Sequence, residues 1–470
     1  MSSINWNQEV ESRKEALLED TKNLLKIKSV LDEENSTEDA PLGKGVKEAL
    51  EFMLKLGEKD GFIAKNVGNL AGHLEFGQGD ELLGILCHVD VVPEGDGWTS
   101  DPYAAEIRDG KIYARGAIDD KGPTMAAYYA MKIVKELGLP LNKRVRMILG
   151  TDEESEWRCV DHYFEHEEMP TMGFAPDADF PIIFAEKGIS DFDLVQSKVK
   201  DGGPGKNKVI SFSSGVRYNM VPDYARATIQ SEDQEVVIQE LEAFLKEKKA
   251  KGTYHVETNG LVLEVEGVSA HGMEPKAGVN AGLLLAEFIA TLSTDKQAEG
   301  YFQFVKTYFV NGSRGKQLGV AYSDEITGDL TINVGKLNYS NEMGGKLGLN
   351  LRYPVTNDME HTKAVIEGVI DKAGFRLENF SDSKPHHVDE KDFLIQTLKK
   401  VYEEQTGEKA ELLSIGGGTY ARSLKSGVAF GPLFPGRPDI AHQKDEYMII
   451  DDLIKATAIY AQAIYELAKG

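Results

Sequence analysis

Four short apolar runs in this chain each deliver a histidine or a carboxylate, and stretches with helical periodicity lie between them. Leu82 to Cys87 runs directly into His88, and Val145 to Leu149 ends at Gly150 before Thr151-Asp152-Glu153-Glu154. Lys111 to Ala114 precedes Arg115-Gly116-Ala117-Ile118-Asp119-Asp120, and Met172 to Ala175 precedes Pro176-Asp177. Runs this short and this apolar suit strands buried on both faces, and their alternation with amphipathic helices predicts an α/β domain. Its sheet is expected to be mostly parallel and flanked by helices. In open sheets of that kind, ligands collect outside the carboxyl ends of the strands. The polar residues that end the runs would therefore face a cleft.

The texture of the chain changes twice. Leu17, Leu18, Leu24 and Leu25, then Val46, Leu50, Met53 and Leu56, predict two opening helices, and Thr124 to Leu137 predicts a third behind Gly122-Pro123. Past Gly188 the pattern becomes that of half-solvated antiparallel strands: Phe192 to Val195, Val209 to Phe212, Ala225 to Ile229 and Leu261 to Val265. Helices are expected at Glu235 to Lys248 and Ala281 to Leu292, and a second strand set precedes a helix near His361 to Ala373. Asp201 to Gly205 is expected to be a surface loop. Around Pro385 the first texture returns, with helices at Lys391 to Gln405 and Asp451 to Ala468. We therefore expect a catalytic domain formed by 1–187 and 386–470, interrupted by an α+β lid domain at 188–385. The lid, about 198 residues long, has room for two α+β units.

Charge narrows the partners. The formal net charge is −24, which repels phosphate backbones and anionic lipid and argues against nucleic acid or a membrane surface. Two cysteines, Cys87 and Cys159, cannot build a disulfide framework. With no basic and apolar leader and no apolar stretch of spanning length, a cytoplasmic location is expected.

Each polar cluster has a plain alternative. His88 could cap its strand with Asp90 as a turn residue; as a metal ligand it would need a carboxylate such as Asp90 on its other nitrogen. Asp119-Asp120 could serve the following helix start, although the glycines and proline around the pair suggest a more constrained backbone. Thr151 to Glu156 reads as a solvated acidic loop, unless a cation offsets the mutual repulsion of its carboxylates. Asp177 follows the fourth run, and His442 stands in Ala441-His442-Gln443-Lys444-Asp445-Glu446. Recurrence at every strand end favours one constellation. Nitrogen and oxygen ligands without thiolate suit zinc, manganese or cobalt.

The ordered motifs Cys87-His88-Val89-Asp90-Val91-Val92-Pro93, Asp119-Asp120-Lys121-Gly122-Pro123, Gly150-Thr151-Asp152-Glu153-Glu154 and Ile415-Gly416-Gly417-Gly418-Thr419-Tyr420 resemble one known family. It is the dinuclear metallopeptidase family of carboxypeptidase G, the aminoacylases, succinyl-diaminopimelate desuccinylase and the carnosinases. The resemblance is closest to bacterial PepV-type dipeptidases and runs through the whole chain. It implies two divalent ions, zinc first and manganese or cobalt as alternatives. His88 and Asp177 would be terminal ligands of one ion, Glu154 and His442 of the other, with Asp119 bridging and a cis peptide after it. Asp90 would orient His88, and Glu153 would be the general base. In the lid, His271 of Gly267-Val268-Ser269-Ala270-His271-Gly272 would reach the reacting carbonyl. Asn219 and Arg352 would hold substrate, and the Gly416-Gly417-Gly418 backbone, Gly417 and Gly418 above all, would approach it. Unaided, Asn219 reads as a turn residue and Arg352 as a strand surface charge.

The implied activity is hydrolysis of a short peptide, a dipeptide with free termini, by a chain whose long lid completes its own site as a monomer. The same residues would serve a deacylase acting on N-acyl amino acids. A metal-dependent binding protein without turnover would have no use for Glu153.

Overall fold

The computed structural model describes residues 4–199, 203 and 205–470; of the loop expected at Asp201 to Gly205, positions 201, 202 and 204 lie outside the described residues. Three of the four apolar runs become the middle of one sheet, whereas Lys111–Tyr113, half-buried, pairs antiparallel with Glu106–Arg108 and Tyr447–Ile449 in a separate one. Strands Arg144–Gly150, Leu82–His88, Met172–Ala175 and Gly427–Ala429 lie side by side and parallel. Ala71–Phe76 and Ile63–Val67 extend the sheet antiparallel on one side. On the other side Ile183 pairs antiparallel with Ala429. Every residue of Leu82–His88 is buried, which is why the run carries no alternation. His88 is level with Gly150, so two of the polar clusters leave the sheet at the same height.

The helix expected from Thr124 spans Lys121–Glu136. Gly122-Pro123 looked like a stop before it. They occupy its first turn instead, where the N–H that proline lacks has no intrahelical partner anyway. Its alanines, with those of the C-terminal helix Ile450–Ala468, belong to one buried apolar cluster together with Leu83, Ile85, Cys87, Met147 and Leu149. Small side chains on both helices let them pack closely over the sheet.

Chain contacts divide the molecule into two units, and the second spans Ala185–His386 plus Ser414–Gly418. Eight of its strands form one sheet, antiparallel throughout, and Ser323–Asp324 pairs with Gly328–Asp329 apart from it. The strands of both candidate α+β units are thus members of a single sheet. Leu347, Leu349 and Leu351 point to one face, where they join a separate apolar cluster with Ala281, Leu285, Tyr301, Phe302 and Ile366. A helix at Lys296–Tyr308 was not foreseen. Gly300 and four aromatic residues hide its periodicity, although Asp295 caps it by accepting from the Gln297 and Ala298 N–H groups. Among the described residues no helix is long and apolar enough to cross a membrane.

One buried histidine sets an acid limit on stability. His73, on strand Ala71–Phe76, is 3% exposed and its Nδ1 lies 2.8 Å from the Tyr163 hydroxyl. Burial first, and the nearby Arg146 charge second, push its pKa down to about 4. The unfolded chain therefore takes up a proton from about pH 6.5 downwards that the folded chain refuses until about pH 4. Stability is expected to fall across that window by about 2–3 kcal/mol, after discounting for partial solvation. His73→Gln should flatten the fall, at a cost of about 1 kcal/mol at neutral pH for the lost hydrogen bond. Thermal midpoints of both proteins between pH 4 and 7 check this; parallel curves would rule out His73 as the cause.

Candidate active site

Around the strand ends the side chains converge on Asp119. Its Oδ1 lies 3.1 Å from His88 Nε2, and its Oδ2 lies 2.9 Å from His442 Nε2. Asp177 Oδ2 stands 3.6 Å from His88 Nε2, and Glu154 Oε2 is 3.0 Å from His442 Nε2. Two groups result, His88–Asp119–Asp177 and Asp119–Glu154–His442, each with its ligand atoms within 4.8 Å of one another. They share the one carboxylate that has an oxygen in each. The peptide between Asp119 and Asp120 is cis.

These residues fit a pair of cations on the structure's own terms. The Nδ1 of His88 meets the Asp90 backbone carbonyl at 3.1 Å, which leaves Nε2 for the cleft. That nitrogen is fully buried and has no well-formed hydrogen bond, although two carboxylates face it. An imidazole lone pair and carboxylate oxygens turned on one another are a donor set that needs positive charge between them. Without a cation, the histidines carry it. Hydrogen bonds to Asp119 and Glu154 push His442 up to about 11. Burial works against the charge of Asp119, but its bonds to His442 and His88 hold it below the usual carboxylate range. Burial raises Asp177, and burial followed by the Asp119 charge raises Glu154.

Glu153 belongs to neither group. Burial, and behind it the charges of Asp177, Asp119 and Glu154, keep its carboxyl well above the usual range against the pull of His88. The other acids of this loop point elsewhere: Asp152 accepts Arg158 Nε at 2.7 Å and Nη2 at 2.9 Å, and Glu156 is exposed. The acidic cluster is thus divided between an arginine, a ligand set, solvent and one unengaged carboxylate.

Asp90 has two contacts. Its Oδ1 is 3.4 Å from His88 Nδ1, farther than the backbone carbonyl, and its Oδ2 accepts the Glu154 N–H at 3.1 Å. It thereby ties the His88 strand to the loop bearing Glu153 and Glu154. Asp120 does not cap its helix; its Oδ2 accepts from the His88 N–H at 3.2 Å and the Thr124 hydroxyl at 3.0 Å. Tyr420, to which sequence reasoning gave no role, is fully buried with its ring edge-on to His88 at 5.9 Å. A Cβ on Gly150 would lie 1.9 Å from its hydroxyl, so only glycine can end that strand. The tyrosine closing Gly416-Gly417-Gly418-Thr419-Tyr420 was the available signal.

The second unit carries the remaining candidates. The Met273 N–H donates to His271 Nδ1 at 3.1 Å, so in the neutral ring Nε2 bears the proton and is a donor. Burial, then the Arg352 charge, lowers the pKa of His271 and favours that neutral ring. Asn219 is exposed beside it: the Gly272 N–H donates to the Asn219 carbonyl at 2.7 Å, and Asn333 Nδ2 donates to the flanking Tyr218 and Met220 carbonyls at 2.7 and 2.8 Å. Arg352 is not a surface charge. It is 5% exposed, its Nε donates to Asn350 Oδ1 at 2.8 Å, and Asn350 Nδ2 donates to Asp191 Oδ1 at 2.6 Å. Asp191, Asn350 and Asn333 stand level on neighbouring strands, a polar row across the sheet face opposite the leucines. Arg352 Nη1 also donates to the Gly416 carbonyl at 3.2 Å. Ser414–Gly418, which carries Gly417 and Gly418, therefore belongs with this unit.

Fold and geometry put two candidate metal-ligand groups at the strand ends, and comparison with known proteins supplies the class. Residues 84–466 match the model of peptidase family M20/M25/M40. The chain belongs to this family and is a hydrolase. It is 56% identical over 466 residues to the "Putative dipeptidase YtjP" of Bacillus subtilis (strain 168), covering 99% of this chain and 100% of that one. A relative of the same description from Staphylococcus epidermidis (strain ATCC 12228 / FDA PCI 1200) is 47% identical over 464 residues, covering 98% and 99%. Among solved structures, the aminoacylhistidine dipeptidase from Vibrio alginolyticus aligns over 96% of both chains with a TM-score of 0.60 at 12% identity, a likeness of fold.

Proposed function

We propose that this chain hydrolyses the peptide bond of short peptides, most of all dipeptides with free amino and carboxyl termini. Two divalent ions would be its cofactors, zinc first and manganese or cobalt as alternatives. One would be held by His88, Asp119 and Asp177, the other by Asp119, Glu154 and His442. The observation that supports this best is the splitting of the Asp119 oxygens between two histidines, with Glu153 close by and outside both ligand groups. The dipeptidase names of relatives that align with nearly the whole chain favour this substrate class.

When bound, the ions polarise the scissile carbonyl and make the attacking water more acidic. Glu153 accepts a proton from that water at a carboxylate oxygen and passes it to the leaving amine nitrogen. Asp90 keeps His88 and the Glu154 backbone in place. His271 donates its Nε2 proton to the carbonyl oxygen as charge develops there. Arg352 meets the substrate's terminal carboxylate with its fork of donors, while Asn219 and the Gly417 and Gly418 backbone hold the peptide.

Dileucine, its N-acetyl form and its amide separate the readings. Only the free dipeptide is expected to turn over well. Arg352→Ala should cost about 2–3 kcal/mol, roughly 30- to 150-fold in kcat/KM, and Arg352→Lys should not recover it. Preference for the N-acetyl compound would turn the reading to a deacylase, and equal turnover of acid and amide would remove the clamp role from Arg352. We further propose a cytoplasmic monomer, in keeping with two free cysteines and the length of the inserted segment. Activity regained on mixing the His271→Ala and Glu153→Ala proteins would mean that subunits share sites.

A further inference from the structure

The two ligand groups share Asp119, so the second group exists only while Asp119 and His442, far apart in the chain, are held in register. The backbone at His442 does not secure this alone: His442 and Asp445 lie at φ +63° and +56°, a region that side-chain-bearing residues seldom occupy. A buried ion pair joins the two segments. Arg115 is 1% exposed and Glu446 is fully buried, with Arg115 Nη1 donating to Glu446 Oε2 at 2.6 Å.

The other hydrogen bonds of this pair go to backbone around the site. Glu446 Oε1 accepts the Ile118 N–H at 2.9 Å and the Asp119 N–H at 3.3 Å. Arg115 Nη1 donates to the Gln443 carbonyl at 3.2 Å, and Nη2 donates to the His442 carbonyl at 3.3 Å. Nη2 also reaches the carbonyls of Glu94 at 3.2 Å and Pro93 at 3.4 Å, on the loop that follows His88. The carboxylate therefore grips the bridging aspartate, and the guanidinium grips the histidine loop. Burying such a pair is a costly way to gain stability, since apolar residues of similar size do as well or better. Its fork geometry, by contrast, sets a distance that apolar packing would leave loose.

We propose that Arg115 and Glu446 are the positioning pair of the second metal site, fixing the Asp119-to-His442 separation on which binding of that ion depends. This inference rests on the two-ion reading above. Neither residue is a ligand; they act through the ligands, so their loss falls unequally on the two sites. The His88–Asp119–Asp177 group keeps the Asp119 oxygen nearer His88, whereas the other group loses the anchoring of its histidine loop. The lost anchoring should cost what removal of groups that orient ligands usually costs, roughly 10- to 100-fold in affinity.

The experiment is a calorimetric titration of the demetallated full chain with zinc, comparing wild type, Arg115→Lys and Glu446→Gln. Wild type is expected to bind two ions. Each variant should bind one at wild-type affinity and the second roughly 10- to 100-fold more weakly. Circular dichroism and the thermal midpoint establish that each variant is folded. Glu446→Gln keeps the shape and one carbonyl acceptor, and so carries the test if Arg115→Lys does not fold. Wild type binding fewer than two ions would overturn the two-ion reading, and the pair's role with it. Wild type binding two, with both sites weakened alike or neither weakened in the variants, would overturn the positioning role alone.

Discussion

Glu153→Gln lowers the turnover of a free dipeptide by about 10²- to 10⁴-fold, the usual worth of a positioned proton acceptor, while two ions remain bound. The amide matches the carboxylate in shape but cannot take a proton from water. It also removes the acid whose ionisation burial, and then Asp177, Asp119 and Glu154, oppose. The loss should appear in kcat with little change in KM, because a proton acceptor would do its work in the transition state and not in holding substrate. Metal content measured beside the kinetics distinguishes this from a ligand role. A variant that loses an ion would make Glu153 a ligand, and one that keeps a tenth of wild-type turnover would need another base.

The central strands and the polar residues at their ends were legible because burial leaves few choices of residue. A strand covered on both faces reads as an unbroken apolar run, and the polar residue that ends it marks the cleft. Recurrence at the strand ends suggested one constellation, but its geometry depends on register, which puts His88 level with Gly150 and so with the loop that bears Glu153 and Glu154. The orienting partner of His88 shows how fine this limit is. Asp90 stands at His88 Nδ1, but its backbone carbonyl at 3.1 Å lies nearer than its carboxylate at 3.4 Å. Arg352 follows strand alternation away from the leucine face, which suggests solvent. The row of Asp191, Asn350 and Asn333 makes that face polar and buried instead. Arg115 and Glu446 stood inside motifs already singled out, yet a pair that acts only on backbone has no composition to betray it.

Chelation at neutral pH is expected to abolish turnover and to loosen the site before the catalytic unit unfolds. Asp119, Glu153, Glu154 and Asp177 bring four carboxyl groups to one region, and two divalent ions would balance them when ionised. Removing the ions leaves that repulsion to be relieved by proton uptake or by movement. Movement is expected in the loop from 150 to 157, which carries two of these carboxyl groups, and in the turn around His442, whose backbone is strained. Strand Leu82–His88 is held from both sides by its neighbours and by an apolar cluster, so its amides should keep their protection. Hydrogen exchange with and without chelator is therefore expected to rise at 150–177 and 440–446 while the central strands stay slow. The midpoint of global unfolding should fall by a smaller margin than the loops suggest, because the core between sheet and helices does not depend on the ions. Exchange at 150–177 that is indifferent to chelation would mean that these carboxylates are not held together by cations, and the metal assignment would fall with it.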